Sequence, residues 1–196
     1  MLFTISQTAI HAQVRTVTSF DNDWKFFKGD VPGADKTDFV DSEWRTLDVP
    51  HDWSIEGPYD KSNPTARGGG YLPAGIGWYR KTFTLNETDA QKKHWIEFDG
   101  VMMNSEVWIN GVHLGKRPYG YISFSYDLTK HLKFGKGQKN VLVVKADNTT
   151  QSASRYYQGA GIYRHVRLVS VNPVHFTQWG TFITTPVATA ASGTVN

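Results

Sequence analysis

Short runs of alternating apolar and polar residues recur along most of the chain. Within residues 78–85, Tyr79, Phe83 and Leu85 share one face, and Arg80 and two threonines share the other. This period of two, rich in aromatic and β-branched residues, is typical of a half-buried strand. The segment is therefore predicted to be a strand with one face in a core.

The same pattern predicts a series of short strands elsewhere. Residues 140–146 are apolar on both faces and are predicted to form a central strand. Asn110-Gly111 predicts a type I′ hairpin turn, because both turn positions require positive φ. Helical periodicity nowhere exceeds two turns, so the chain is predicted to be all-β, an antiparallel sandwich of the jelly-roll type. The further predicted strands are residues 24–27, 44–49, 95–99, 105–109, 112–115, 124–128, 162–171 and 174–185.

A glycine-rich loop leads into the strand at 78–85. It contains Pro64, the triplet 68–70, Gly75 and Gly77. Loops held by a rigid strand often carry binding residues, and the alternative is a plain connection across one end of the sandwich. Both interpretations remain open at this point.

Composition and charge exclude several function classes. The 21 basic and 18 acidic residues give a net charge of +3 and form no basic block, so nucleic-acid binding is not expected. Cysteine is absent from the sequence, which removes disulfides and thiolate metal sites. The seven histidines lack metal-ligand spacing, so no metal site is predicted. No apolar run approaches the roughly 18 residues of a membrane span.

Residues 1–13 are predicted to be a leader. Residues 2–12 are moderately apolar and carry small residues at Ala9 and Ala12, as at the end of a secretory signal peptide. A periplasmic, cell-surface or secreted protein is therefore expected.

Five consecutive motifs stand out along the chain: DVPHDWSIEGPY, GGGYLPAGIGWYRKTF, IEFDGVMMNSEVWINGVHLG, RPYGYISFSYDL and GAGIYRHVRLV. They closely resemble the N-terminal sugar-binding jelly-roll domain of glycoside hydrolase family 2, especially its β-galactosidases. The resemblance implies a galactose-binding-domain-like sandwich over residues 14–172, with no cofactor in this fragment. It also implies that residues 173–196 begin a truncated immunoglobulin-like domain, and that the catalytic glutamates lie on a barrel further along. The chain is thus expected to be a noncatalytic domain whose partners are the downstream domains and a β-galactoside or related oligosaccharide.

The resemblance also implies the substrate-binding residues. They are Asn63, Thr65, Tyr71, Arg155 and Tyr157. Arg155 stands where well-known members have an aspartate, so neither that aspartate's hydroxyl contact nor its sodium ligand is carried over.

Alternatives remain for several of these residues. Asn63 could form an Asx turn ahead of proline, and the tyrosines at 156 and 157 could pack in the core. His51, Asp52 and Trp53 are interpreted as a structural turn.

Catalysis by this chain alone is not expected. Retaining glycosidases use two carboxylates about 5 Å apart. Glu97, Asp99 and Glu106 are the candidates, and they are interpreted as ordinary surface charges. Two alternatives to the enzyme-domain hypothesis are a free-standing lectin-like module, which would need an aromatic platform of its own, and a purely structural domain.

Overall fold

The computed structural model describes residues 15–150 and 156–195, which form a sandwich of antiparallel sheets. Helical structure in this part of the chain is limited to 3₁₀ turns at Trp53–Glu56, Arg67–Gly69 and Glu87–Gln91, none with the length and apolar character to cross a membrane. The strands are β1 Thr16–Ser19, β2 Trp24–Lys28, β3 Arg45–Leu47, β4 Ile76–Phe83, β5 Lys93–Phe98, β6 Ser105–Ile109, β7 Val112–Arg117, β8 Phe124–Asp127, β9 Asn140–Asp147, β10 Val166–Val171, β11 Val187–Ala188 and β12 Gly193–Thr194.

Two main sheets make up the sandwich. One has the strand order β3-β2-β4-β9-β6-β7 and the other β1-β10-β5-β8. Neighbouring strands in both sheets run antiparallel. The predicted all-β jelly-roll fold is confirmed.

The core lies between the two sheets because alternate residues of each strand point inward. Ile96 and Phe98 on β5, Tyr79 on β4 and Leu142 on β9 are fully buried in one cluster. Burying each such side chain contributes about 1.5–3 kcal/mol. The period of two in the sequence is therefore the signature of this shared core.

A second, smaller cluster covers the outer face of the six-stranded sheet. Trp78 on β4 and Val143 on β9 pack there with Ala34 and Trp44 from the connection between β2 and β3. β9 is thus buried on both faces between β4 and β6, which confirms it as a central strand.

Arg80 corrects the expectation that the second face of β4 is polar and solvated. Its side chain is 2% exposed and its guanidinium donates to Asp41 Oδ2 at 2.9 Å and to the carbonyl oxygens of Ala34 and Lys36. The ring of Phe39 lies 5.3 Å from the guanidinium carbon. Alternation along one strand cannot reveal a distant loop that folds over it.

Glu97 also differs from its interpretation as a surface charge. It is 9% exposed, and its Oε1 has no hydrogen-bond partner among the described residues. Burial raises the pKa of Glu97, partly offset by the positive charges of Arg15 and Arg167. Asp99 agrees with its interpretation as a surface charge. It is part-exposed and accepts a hydrogen bond from Arg167 Nη1 at 2.7 Å.

The Asn110-Gly111 hairpin between β6 and β7 is confirmed. Both residues have positive φ, 51° and 81°, and Ile109 pairs with Val112 across the turn. The Asn110 amide donates to the carbonyl of His131 at 2.7 Å, so the turn residue also ties the hairpin to a neighbouring loop.

The predicted strand at residues 174–185 is wrong. In this segment no strand forms, and the next strands are the short pair β11 and β12. Phe176, Trp179 and Phe182 are 84%, 68% and 86% exposed. The alternation is present, but among the described residues this segment pairs with no strand.

Candidate functional site

The turn between β3 and β4 is built around buried aromatic rings. Asp52 accepts a hydrogen bond from the backbone N–H of Ser54 at 2.9 Å and so caps the 3₁₀ turn at Trp53–Glu56. Trp53 is 1% exposed and packs against the chain at Gly161, where an added Cβ would collide with its ring. These contacts agree with the interpretation of His51, Asp52 and Trp53 as a structural turn.

Polar side chains tie this turn to the sheet. His51 Nδ1 lies 2.8 Å from the Tyr79 hydroxyl, and Arg45 donates to Glu56 at 2.7 Å. Burial lowers the pKa of His51, and the neighbouring Glu56 partly opposes this. Burial also raises the pKa of Asp52 to about 6, although hydrogen bonds from the Ser54 and Ala160 backbone act in the opposite direction.

The loop from Asp60 to Tyr71 leaves this turn and is closed at its base. The Asp60 backbone N–H donates to the Tyr71 carbonyl at 3.2 Å, and the Tyr71 N–H donates to Ala66 at 2.8 Å. Thr65 is 2% exposed, and its hydroxyl donates to the Leu72 carbonyl at 2.7 Å. The loop is therefore held in one shape by its own backbone.

Asn63 holds the base of this loop with its side-chain amide. Nδ2 donates to the carbonyl oxygens of Pro58 at 3.0 Å and Tyr71 at 2.8 Å. Both partners are acceptors, so the NH₂ group must face them and Oδ1 must face away. Asn63 thus combines a structural role in the turn with one acceptor oxygen that has no partner among the described residues.

The implied binding residues differ in what the structure allows them to do. Thr65 has its hydroxyl committed to the loop, whereas Tyr71 is part-exposed with φ 55° at the end of the loop. Tyr157 is 44% exposed and Tyr156 is 57% exposed, so neither packs in the core. Arg155 lies outside the described residues. The roles of these residues in binding stay predictions.

The segment that follows Tyr157 is fixed beside the turn. Asn148 Nδ2 donates to the Gly159 carbonyl at 3.1 Å, and Asn148 Oδ1 accepts from the Gly75 N–H at 2.8 Å. Gly159 and Asp52 also approach each other, since a Cβ at Gly159 would lie 3.4 Å from an Asp52 oxygen. The glycine-rich loop and the tyrosine segment therefore meet at one end of the sandwich.

Two exposed tyrosines near this end were missed by the sequence analysis. Tyr119 and Tyr121 are 58% and 44% exposed, with their ring centroids 5.6 Å apart. The available signal was the spacing of aromatic residues in RPYGYISFSY, a motif considered only for its resemblance to a family.

The described residues give no support for a metal at this end of the sandwich. No group of three or more His, Cys, Asp or Glu side chains there could hold an ion. Arginine has no acceptor atom, so Arg155 cannot replace an aspartate ligand.

Solved structures define the class of domain to which this fold belongs. The chain superposes on part of a β-glycosidase of Bacteroides vulgatus with a TM-score of 0.83 and 48% identity, over 88% of this chain and 22% of that one. A family 2 glycosyl hydrolase of Bacteroides cellulosilyticus gives a TM-score of 0.81 and 41% identity, over 89% and 23% of the two chains. The fold is therefore an accessory β-sandwich of glycosidases.

The chain belongs to the sugar-binding domain of glycosyl hydrolases family 2, whose family model matches residues 17–172. It is 56% identical over 171 residues to a β-galactosidase of Bacteroides ovatus, covering 87% of this chain and 20% of the relative. A β-glucuronidase of Formosa agariphila is 36% identical over 181 residues, with 86% and 18% coverage. The chain thus spans about a fifth of the length of these curated relatives.

Proposed function

We propose that this domain forms one wall of the sugar pocket in a family 2 glycoside hydrolase that cleaves β-galactosides. A catalytic barrel in the same polypeptide would supply the two carboxylates, and this chain would supply polar contacts to the sugar. The 56% identity to a β-galactosidase supports the choice of galactoside.

The observation that carries the proposal is the orientation of Asn63. Its NH₂ group is used by the Pro58 and Tyr71 carbonyls, so Oδ1 is the atom left to accept a hydrogen bond from a sugar hydroxyl. Because the loop is already fixed, little ordering entropy is lost when the sugar binds. A purely structural loop would gain nothing from an unpaired acceptor at this position.

Asn63→Ala in the full-length enzyme tests this role, with Thr65→Val as the matched control. Asn63→Ala removes two side-chain hydrogen bonds that close the loop and Thr65→Val removes one, but only the first substitution removes the unpaired oxygen Oδ1. A net hydrogen bond is worth about 0.5–1.5 kcal/mol, and more if a buried hydroxyl is left unpaired. Asn63→Ala should therefore lower kcat/KM by roughly 3- to 100-fold.

Melting temperature and steady-state kinetics are measured on both variants. We expect both to lose some thermal stability and Thr65→Val to retain most of its kcat/KM. Equal losses of kcat/KM in the two variants would mean that Asn63 acts only by closing the loop. That outcome would favour the purely structural domain.

The sugar class is tested separately with nitrophenyl β-galactoside and nitrophenyl β-glucuronide. The proposal expects a higher kcat/KM for the galactoside in the full-length enzyme. Preference for the glucuronide would instead align the protein with relatives such as the β-glucuronidase of Formosa agariphila.

Export of the full-length protein is a further part of the proposal. The apolar residues 2–12 with Ala9 and Ala12 support a processed leader. Cell fractionation with N-terminal sequencing checks it, and an unprocessed protein confined to the cytosolic fraction would contradict it.

A further inference from the structure

Four tyrosines, three of them in ring contact, lie together at the end of the sandwich that carries the candidate site. Tyr119 and Tyr121 meet edge to face with centroids 5.6 Å apart, and Tyr121 and Tyr163 do so at 6.5 Å. Tyr156 lies two residues before Gln158, whose carbonyl oxygen accepts a hydrogen bond from the Tyr121 hydroxyl at 3.4 Å. We call these four residues the tyrosine platform.

The platform is held in place by the strand connections beneath it. The Tyr163 hydroxyl donates to the Gly120 carbonyl at 2.9 Å, and its ring lies so close to Gly100 that a Cβ there would approach the hydroxyl to 2.7 Å. The Tyr121 hydroxyl donates to the Gln158 carbonyl at 3.4 Å. The rings are therefore arranged before any ligand arrives, which reduces the entropy lost on binding.

The platform exposes both apolar ring faces and polar hydroxyl groups. Tyr119, Tyr121 and Tyr156 are 58%, 44% and 57% exposed. The hydroxyls of Tyr119 and Tyr156 have no hydrogen-bond partner within residues 15–150 and 156–195. Burial and the neighbouring tyrosines raise the pKa of Tyr121, so this phenol stays neutral and keeps its proton at physiological pH.

This combination fits a pyranose ring better than it fits a charged ligand. A sugar offers an apolar C–H face to an aromatic ring and hydroxyls to the phenol oxygens at its edge. Rings set at steep angles to one another can contact the apolar faces of different sugar units along a β-linked chain. The platform is also continuous, through Gln158 and the segment after it, with the turn at Asp52.

We propose that the tyrosine platform is a second carbohydrate-binding surface beside the pocket at Asn63, where it holds pyranose units of a β-linked polysaccharide. It gives this domain contact with sugars of its own, in addition to its contribution to an active site. The aromatic platform that a lectin-like module requires is thus present in this chain.

Affinity gel electrophoresis of the 196-residue chain tests the proposal. Native gels containing soluble β-1,4-galactan, β-1,4-xylan or hydroxyethyl cellulose are compared with a gel without polymer. The wild-type chain should be retarded in at least one of them. The double variant Tyr119→Ala/Tyr121→Ala should weaken the association by about tenfold, because it removes two ring faces.

Two further variants serve as controls. Tyr121→Phe keeps the ring and loses the hydroxyl, so its retardation should stay within a few-fold of the wild type. Phe182→Ala removes an aromatic ring that is 86% exposed and lies outside the platform, so it should bind as the wild type does. Far-UV circular dichroism checks the folding of each variant, and Tyr119→Ala alone replaces the double variant if the latter unfolds.

Three outcomes would overturn the proposal. They are no retardation of the wild-type chain in any polymer, equal retardation of the wild type and the double variant Tyr119→Ala/Tyr121→Ala, and a loss of retardation in Phe182→Ala as large as that in the double variant. Sedimentation velocity adds a fourth test, because self-association abolished by the double variant would mean that the platform contacts protein. Since the readout is polymer binding by this chain and not turnover, failure here leaves the proposed pocket at Asn63 untouched.

Discussion

At the scale of single residues, burial changes the pKa of Asp52. Its pKa rises from 3.8 to about 6 in the folded chain, chiefly through burial. The folded state therefore keeps a proton that the unfolded state releases between these two values. As pH rises through this window, Asp52 lowers the free energy of unfolding.

Asp52→Asn should remove this dependence while keeping an oxygen to accept from the Ser54 N–H. The melting temperature of the variant minus that of the wild type should therefore increase by a few degrees from about pH 4 to about pH 7. His51, whose lowered pKa gives an opposite slope, is present in both proteins and largely cancels in the difference. A difference that stays constant over this range would contradict the assignment.

Arg80 gives a second prediction at this scale. Arg80→Met would leave Asp41 and the carbonyls of Ala34 and Lys36 without their donor. Because the Asp41 side chain is 26% exposed, the expected cost is that of unpaired part-buried acceptors, about 1–3 kcal/mol. The control Thr82→Val lies on the same face of β4 but is exposed and should change stability by less than about 0.5 kcal/mol. Urea unfolding curves measure both, and equal stabilities would mean that the contacts of Arg80 contribute little.

Several residue roles lay beyond sequence reasoning. The sequence suggested either an Asx turn or a sugar contact for Asn63. In the structure the NH₂ group of its side chain binds the loop, while Oδ1 on the other side of the amide faces away from it. Arg80 and Glu97 both lie on the polar side of an alternating strand, yet both side chains are buried. Burial by a distant loop leaves no trace in a local pattern.

At the scale of elements, alternation predicted the strands that have one face in the core. β2 through β10 all overlap predicted runs, and the Asn110-Gly111 turn fixed one register. β1 was missed because all four of its residues are exposed at a sheet edge. The run at 174–185 was overpredicted because a strand also needs a neighbouring backbone, which side-chain pattern does not report.

The tail after Asn172 is expected to contribute little to stability. Its contacts with the sandwich include a hydrogen bond from exposed Arg15 to Gln178 at 2.7 Å and the approach of His175 to Trp95. Exposed polar contacts of this kind are worth at most about 1 kcal/mol. Deleting residues 174–196 should therefore shift the melting temperature by less than about 4 °C. A loss of ten degrees or more would show that the tail belongs to the core of the sandwich.

At the scale of the whole molecule, we predict that this chain alone hydrolyses no chromogenic β-galactoside. Two of its three candidate carboxylates are paired, Asp99 with Arg167 and Glu106 with His113 at 3.2 Å, and the third, Glu97, is buried. A retaining mechanism needs two carboxylates facing one sugar about 5 Å apart. Release of nitrophenol by a preparation free of host glycosidase would refute this prediction.

The hydrogen bonds that close the base of the loop from Asp60 to Tyr71 do not depend on the side chains at its tip. Asn63 and Thr65 fasten the base to main-chain carbonyls, which every amino acid provides. The exposed side chain of Arg67 at the tip is therefore free to vary, and doubling the length of such a loop costs only about 0.6 kcal/mol. Gly69 and Gly70 are constrained, because Gly69 is buried and Gly70 has a φ of 69°. The sandwich can therefore act as a common scaffold on which variants of this loop are screened for selectivity toward new sugars.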